Sequence, residues 1–231
     1  MLRRRLMVSS GPENGGGNDD NCITLLHFDN AITNASAVSQ TWVKSSYAAY
    51  SSSIKKFGTH AIYDSYRDSG SVVALIATNT SSIFYSYLSG DWTLEAWVYL
   101  PSNYTNSSYP SGIFNIQANS AGYPYLDLSL HSAGFSLVHS TNGTSLDFQQ
   151  EYVHAISTLT WHHVALVKKD GYITIYLDGI AQDSNIPWAY TPNASYNINR
   201  VGAGCFAYID EFRFSNIARW TENFTPPTAP Y

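Results

Sequence analysis

From Trp92 to Leu100 the positions alternate without a break. Trp92, Leu94, Ala96, Val98 and Leu100 fall on one side, and Thr93, Glu95, Trp97 and Tyr99 on the other. A period of two is the strand period, so this stretch predicts a strand with one apolar face, ended by Pro101. Residues 161–179 carry two such runs flanking Asp170-Gly171. That dipeptide suits a two-residue primed turn, whose central residues both need positive φ. The spacing predicts a hairpin of 162–168 with 172–178, in which Lys169 faces Tyr172, Leu166 faces Ile175 and Val164 faces Leu177. On its other side Ala165 faces Tyr176 and His163 faces Asp178, a polar partner across the hairpin. The first face is wholly aliphatic and must be covered. No later stretch reads as a long amphipathic helix, so a second sheet is the expected cover.

Shorter runs fill in the rest. Ile23–Asp29, Ala61–Tyr63, Val72–Ile76, Ile113–Ile116, Tyr125–Leu130 and Phe135–His139 read as strands. Another starts at Ile180, and Ser184–Asn197, with Pro187 and Pro192, reads as a loop. Tyr208–Phe214 alternates again, with Ile209, Glu211 and Arg213 opposed to Asp210, Phe212 and Phe214; Asn216–Trp220 reads as a helical turn. About a dozen short strands with regular turn signals indicate an all-β, two-sheet antiparallel sandwich.

Five motifs in chain order resemble those of the laminin-G-like, concanavalin A-like jelly rolls. They are Leu25-Leu26-His27-Phe28-Asp29, Lys56-Phe57-Gly58, the strand from Trp92, the hairpin Trp161-His162-His163-Val164-Ala165 with Ile175-Tyr176-Leu177-Asp178-Gly179, and Tyr208-Ile209-Asp210-Glu211-Phe212. The closing run Ala218-Arg219-Trp220 to Thr228 is similar to the form found in phage virion and tail-appendage proteins. The resemblance covers residues 22–231 and implies a jelly-roll domain over that range. It further implies a non-enzymatic virion protein, a decoration or appendage that contributes to host-surface attachment through carbohydrate. A bacterial carbohydrate-binding or adhesion module is the second reading, and a glycoside hydrolase the third.

Composition narrows the partners. The 231 residues carry a net charge of −5, with 12 basic and 17 acidic side chains. Without Arg3, Arg4 and Arg5, nine basic against seventeen acidic groups leave −8, which excludes the basic face that a phosphate backbone needs. Residues 1–21, three arginines followed by Gly, Asn and Asp, have too little to bury and predict a flexible arm. Leu2, Arg3, Arg4, Arg5, Leu6 and Met7 are its candidate docking residues for another virion protein. Leu6-Met7-Val8 is too short for the apolar core of an export signal, and no run approaches a membrane span, so assembly in a host cytoplasm and residence in the virion are expected. A homo-oligomer or a larger assembly is the expected state. Cys22 and Cys205 permit one disulfide or two reduced thiols.

Candidate chemistry is sparse. No two of the seventeen Asp and Glu residues lie two positions apart, so the paired carboxylates of a one-strand glycosidase site are missing. Gly-X-Ser-X-Gly and His-Glu-X-X-His are absent as well. The resemblance implies a calcium ion at the sheet rim, with Asp29, Asp64 and Asp210 as its ligands; here Asp64-Ser65-Tyr66-Arg67 stands where relatives carry Asp-Gly. For a sugar, rings in predicted loops are the candidates: Tyr104, Tyr109, Tyr123, Trp188 and Tyr190.

Overall fold

A computed structural model describes residues 17–64, 76–78, 86–102, 111–117, 124–131, 133–140, 142, 145–188, 198–203 and 206–231. Leu2, Arg3, Arg4, Arg5, Leu6 and Met7 of the expected arm lie outside the described residues, as do Tyr104, Tyr109, Tyr123, Tyr190 and Cys205. The described strands are β1 (Cys22–Leu26), β2 (Val43–Lys44), β3 (Ala48–Ser51), β4 (Ala61–Asp64) and β5 (Ile76–Thr78). They continue with β6 (Trp92–Tyr99), β7 (Ser111–Gln117), β8 (Pro124–His131), β9 (Gly134–His139) and β10 (Phe148–Val153). The last five are β11 (Trp161–Lys169), β12 (Tyr172–Leu177), β13 (Ile180–Pro187), β14 (Ile198–Ala203) and β15 (Tyr208–Ser215).

All pairings are antiparallel and form two sheets, the expected sandwich. An eight-stranded sheet runs β13-β12-β11-β6-β15-β4-β3, and β1 pairs with β15 beyond the end of β4. A seven-stranded sheet runs β10-β9-β8-β7-β14-β5-β2. Their inner faces share one core, to which Leu94, Val98, Leu166 and Ile175 contribute from the first sheet and Phe114, Leu128 and Leu137 from the second.

The β11–β12 hairpin has the expected register, with Val164 opposite Leu177, Leu166 opposite Ile175 and Lys169 opposite Tyr172. Asp170 and Gly171 supply the two positive φ angles of the turn, 50° and 83°. Leu166 is fully buried, and burial of this kind stabilises by about 1.5–3 kcal/mol per side chain.

Four local expectations are corrected. Asp178 has φ of 50° and belongs to the turn after β12, so its carboxylate reaches the His162 ring and only the backbone N–H of His163. Glu211 has φ of 49° at a bulge in β15, which puts Ile209 in the core with Phe212 and Phe214 instead of opposite them. β13 continues through Pro187, where a loop was expected. Asn216–Trp220 is bent and extended rather than a helical turn. β2, β3, β10 and β14 had no counterpart in the sequence reading; β10, with Gln149, Gln150 and Glu151 in its centre, shows no apolar alternation to detect.

Candidate functional site

The outer face of the eight-stranded sheet is finished in three bands. In the first, Glu95 of β6 pairs with Arg213 of β15, both buried, at 2.6 Å and 2.8 Å through Nη2 and Nε. The other Glu95 oxygen accepts from the Tyr231 hydroxyl at 2.9 Å and Trp220 Nε1 at 3.2 Å, and lies 3.2 Å from His163 Nε2. Burial alone would raise the Glu95 pKa. The Arg213 charge and the His163 contact outweigh it and hold the carboxyl well below the usual range. Residues 216–231 form the roof over this band: Trp220 and Phe224 pack on Ala165, Val167 and Tyr176, and Arg213 lies 3.7 Å from the centre of the Tyr231 ring. Phe224 N donates to Gly179 O, at a glycine with φ of 78° where any Cβ would strike the Phe224 carbonyl.

The second band is covered by the loop before β4. Lys56 sits 3.7 Å from the Trp97 ring centre and Phe57 packs edge-on against it. Asp210 fastens this loop by accepting from Lys56 N at 2.8 Å and Phe57 N at 3.1 Å. Asp29 fastens its other end through Thr59 N, Thr59 Oγ1 and His60 N. Burial pushes Asp210 up to about 7, against those backbone donors. Asp29 and Asp210 are thus committed to N–H groups, and the described residues hold no cluster of three or more His, Cys, Asp or Glu suited to an ion. The side chain of Asp64 lies outside the described ones.

The third band is a row of rings. Tyr63 on β4, Tyr208 on β15, Tyr99 on β6 and Trp161 on β11 are direct cross-strand partners. Tyr63 and Tyr208 stack at 4.8 Å, Tyr99 meets Tyr208 edge-on at 5.7 Å, and Trp161 tilts against Tyr99 at 5.6 Å. All four are half-buried. Four adjacent strands make this row about 14 Å long at the usual interstrand spacing. None of these rings was among the candidates from sequence, because alternation assigns a residue to a face but not to a neighbour. Tyr99 and Trp161 each begin or end a recognisable strand, which was the only signal available.

Other groups serve the fold. Trp188, expected as a loop ring for sugar, is buried in the core with its ring centre 4.4 Å from that of His139. His162 lies 2.7 Å from Asp178 Oδ2 through Nδ1 and 2.9 Å from Ser157 Oγ through Nε2. The same Nε2 lies 3.1 Å from the Ser157 carbonyl oxygen, and hydrogen bonding to Asp178 raises the His162 pKa. The ring bridges Asp178 and Ser157 and so clasps the connector before β11. A cleft of about 410 Å³ between residues 32 and 42 is lined by Asn34 and Gln40, whose amides already donate to Val38 O and Ile23 O. On the other sheet Asp127 accepts from Asn115 Nδ2 at 2.7 Å and from Ser129 Oγ, and burial raises its pKa. Its cross-strand partners are Asn115 and Val138, neither of them an acid. Cys22 is a free, buried thiol.

The family model described as concanavalin A-like lectin/glucanases superfamily matches residues 68–223. The chain belongs to this superfamily. No curated protein matches it by sequence. Among solved structures, the botulinum neurotoxin serotype D binding domain is similar at 15% identity and a TM-score of 0.61, over 86% of this chain and 49% of that one. The botulinum neurotoxin type G receptor binding domain gives 15% and 0.59, over 86% and 48%. The binding domain of botulinum neurotoxin DC in complex with SialylT gives the same identity, TM-score and coverage. The chain spans about half the length of these structures, and the likeness places it in their fold as a concanavalin A-like sandwich.

Proposed function

We propose that this concanavalin A-like domain is a non-enzymatic binding module whose glycan, or glycan-bearing receptor, lies along Tyr63, Tyr208, Tyr99 and Trp161. The row itself carries the reading: aromatic edges, faces and hydroxyls on four strands offer apolar contact with a polar rim, which suits a sugar's mixed surface. Glu95, Ala165, Val167 and Tyr176 on that sheet face are covered, whereas the row is half-buried. A related fold solved with SialylT lends support to this class of ligand. Titrating a glycan library against wild type and the Tyr99→Ala, Tyr208→Ala and Trp161→Ala variants tests the assignment. Binding should fall by at least about twofold, and up to about tenfold or more, in each variant, since stacked rings contribute about 0.5–1.5 kcal/mol beyond their buried area. Undiminished binding in all three would place the ligand elsewhere.

The same proposal extends to a virion setting, supported by the closing Ala218–Thr228 run and by the arginine-bearing arm, which would dock on another particle protein. Deleting residues 2–15 should leave thermal stability unchanged and abolish incorporation into particles. Normal incorporation of the truncated chain would remove the arm from this role.

A further inference from the structure

Seven non-glycine positions among the described residues have a positive φ, and they tolerate it unequally. Asn30, Asp170, Asp178 and Asn185 are the short polar types that enter the left-handed region with least strain. Phe28, Leu159 and Glu211 are not, at φ of 60°, 61° and 49°. Phe28 is buried in the core, and Glu211 is buried with its carboxylate held by His27 and by Tyr231 N, so the fold itself stabilises both conformations. Leu159 is 59% exposed. A lone exposed leucine is ordinary on a protein surface, but one held in a backbone conformation that glycine or asparagine adopts with less strain is not. The other large hydrophobic residues exposed in the described chain, Val43, Tyr47, Val153, Tyr172 and Ile180, all lack a positive φ.

Fastenings on either side maintain the strain. Ile156 is buried in the core, and the His162 ring holds Ser157 at its hydroxyl and its carbonyl oxygen. Leu159 N donates to Leu100 O at 2.7 Å, and Trp161 opens β11 opposite Tyr99. Strained backbone that its surroundings over-determine is characteristic of ligand clamps. The same fastenings fix where Leu159 stands. Two residues before Trp161, and bonded to the residue that follows Tyr99, it lies at the rim of the eight-stranded sheet beside the Trp161 end of the aromatic row.

We propose that Leu159 is a specificity-determining residue of the row, an aliphatic contact that selects a sugar bearing a methyl group, as an N-acetyl or a deoxy substituent, over its counterpart with hydroxyls alone. The inference rests on the reading of the row as the sugar site. Ring faces accept the C–H surface of any pyranose, so the four aromatics by themselves discriminate little between sugars. Leucine offers neither donor nor acceptor. A hydroxyl set against it gives up water without a replacement partner, whereas a methyl group gains by leaving water. Preference therefore arises at the rim, where the connector holds this side chain out, and affinity arises along the strands.

Calorimetric titration of the full chain with matched sugars tests it: the trimers of N-acetylglucosamine and of glucose with the same linkage, and L-fucose with L-galactose. Wild type should bind the methyl-bearing member of at least one pair roughly fourfold more tightly, the worth of one buried methyl group. Leu159→Asn should bring that ratio to about one with a melting temperature unchanged or raised, and Leu159→Met, which keeps an apolar reach, should retain most of the preference. Trp161→Ala should weaken both members. Binding of neither pair, or binding indifferent to Trp161→Ala, would overturn the row as the sugar site and this inference with it. Binding that needs Trp161 but shows no preference, or a preference that survives Leu159→Asn, would overturn the inference alone. So would a melting temperature several degrees lower in Leu159→Asn, which would assign the strained leucine to the fold.

Discussion

Glu95 and Tyr99 occupy the same face of β6, yet their surroundings are opposite. At Glu95 the face is charged and sealed: both carboxylate oxygens have partners, and residues 216–231 lie over them. At Tyr99 it is aromatic and half open. The difference follows from what each group tolerates. A buried ion is costly unless every acceptor is filled, so charge on a sheet demands a roof. Rings gain from whatever area they bury and lose little by keeping some exposed, so an aromatic patch is stable without a lid and retains surface for a ligand. Stability is concentrated at one end of the face, and the proposed recognition at the other.

Substitutions should separate the two. Glu95→Ala strands Arg213 without its counter-charge and is expected to cost about 3–5 kcal/mol in denaturant unfolding, with ligand affinity of the remaining folded fraction unchanged. Leu166→Ala, under the same face but in the shared core, should cost about 2–5 kcal/mol. Removing the Tyr231 hydroxyl as Tyr231→Phe takes one hydrogen bond from a buried carboxylate, a loss of about 1.5–3 kcal/mol. If Tyr231→Phe were neutral while Tyr99→Ala unfolded the chain, the division would be reversed.

The smallest effect is set by pH. Hydrogen bonding to Glu211 raises His27, hydrogen bonding to Asp178 raises His162, and burial takes Asp210 to about 7. In each case the folded state holds its proton more tightly than the unfolded one. For the two histidines the stabilisation is full below their ordinary value of 6.5 and is lost as pH rises through the raised folded values; for Asp210 it is full only below 3.8 and is gone above about 7. Asp19, lowered by its Arg219 hydrogen bonds, acts oppositely: its contribution is present above the ordinary carboxylate pKa and vanishes as pH falls through the depressed value. The melting temperature should fall from weakly acidic pH toward pH 8, and Asp210→Asn should flatten the part of that decline below about pH 7 while leaving the histidine part above it. A midpoint that rises from pH 6 to pH 8 would contradict these assignments.

Local pattern made the hairpin legible to the residue, because alternation and an Asp-Gly turn leave one register. It failed wherever backbone departs from alternation. The bulge at Glu211 moved Ile209 to the core face, and the positive φ of Asp178 exchanged one histidine partner for the other. It was silent on neighbours. Glu95 meets Arg213 from 118 positions away, and Tyr63 meets Tyr208 only because β4 and β15 are adjacent. Rings in predicted loops drew attention as sugar contacts, whereas the row lies on strands and Trp188 fills the core.

The bond from Tyr231 to Glu95 spans 136 positions of sequence. On a ribosome adding about 5–20 residues per second, β6 leaves the exit tunnel on the order of ten seconds before the phenol that completes its carboxylate's shell. During that interval the Glu95 side chain cannot reach its final environment, however well the hairpin beside it has formed. Closure of this face is therefore late relative to the synthesis of β6, and the nascent chain must stay hydrated across the face of β6 until Tyr231 has been added.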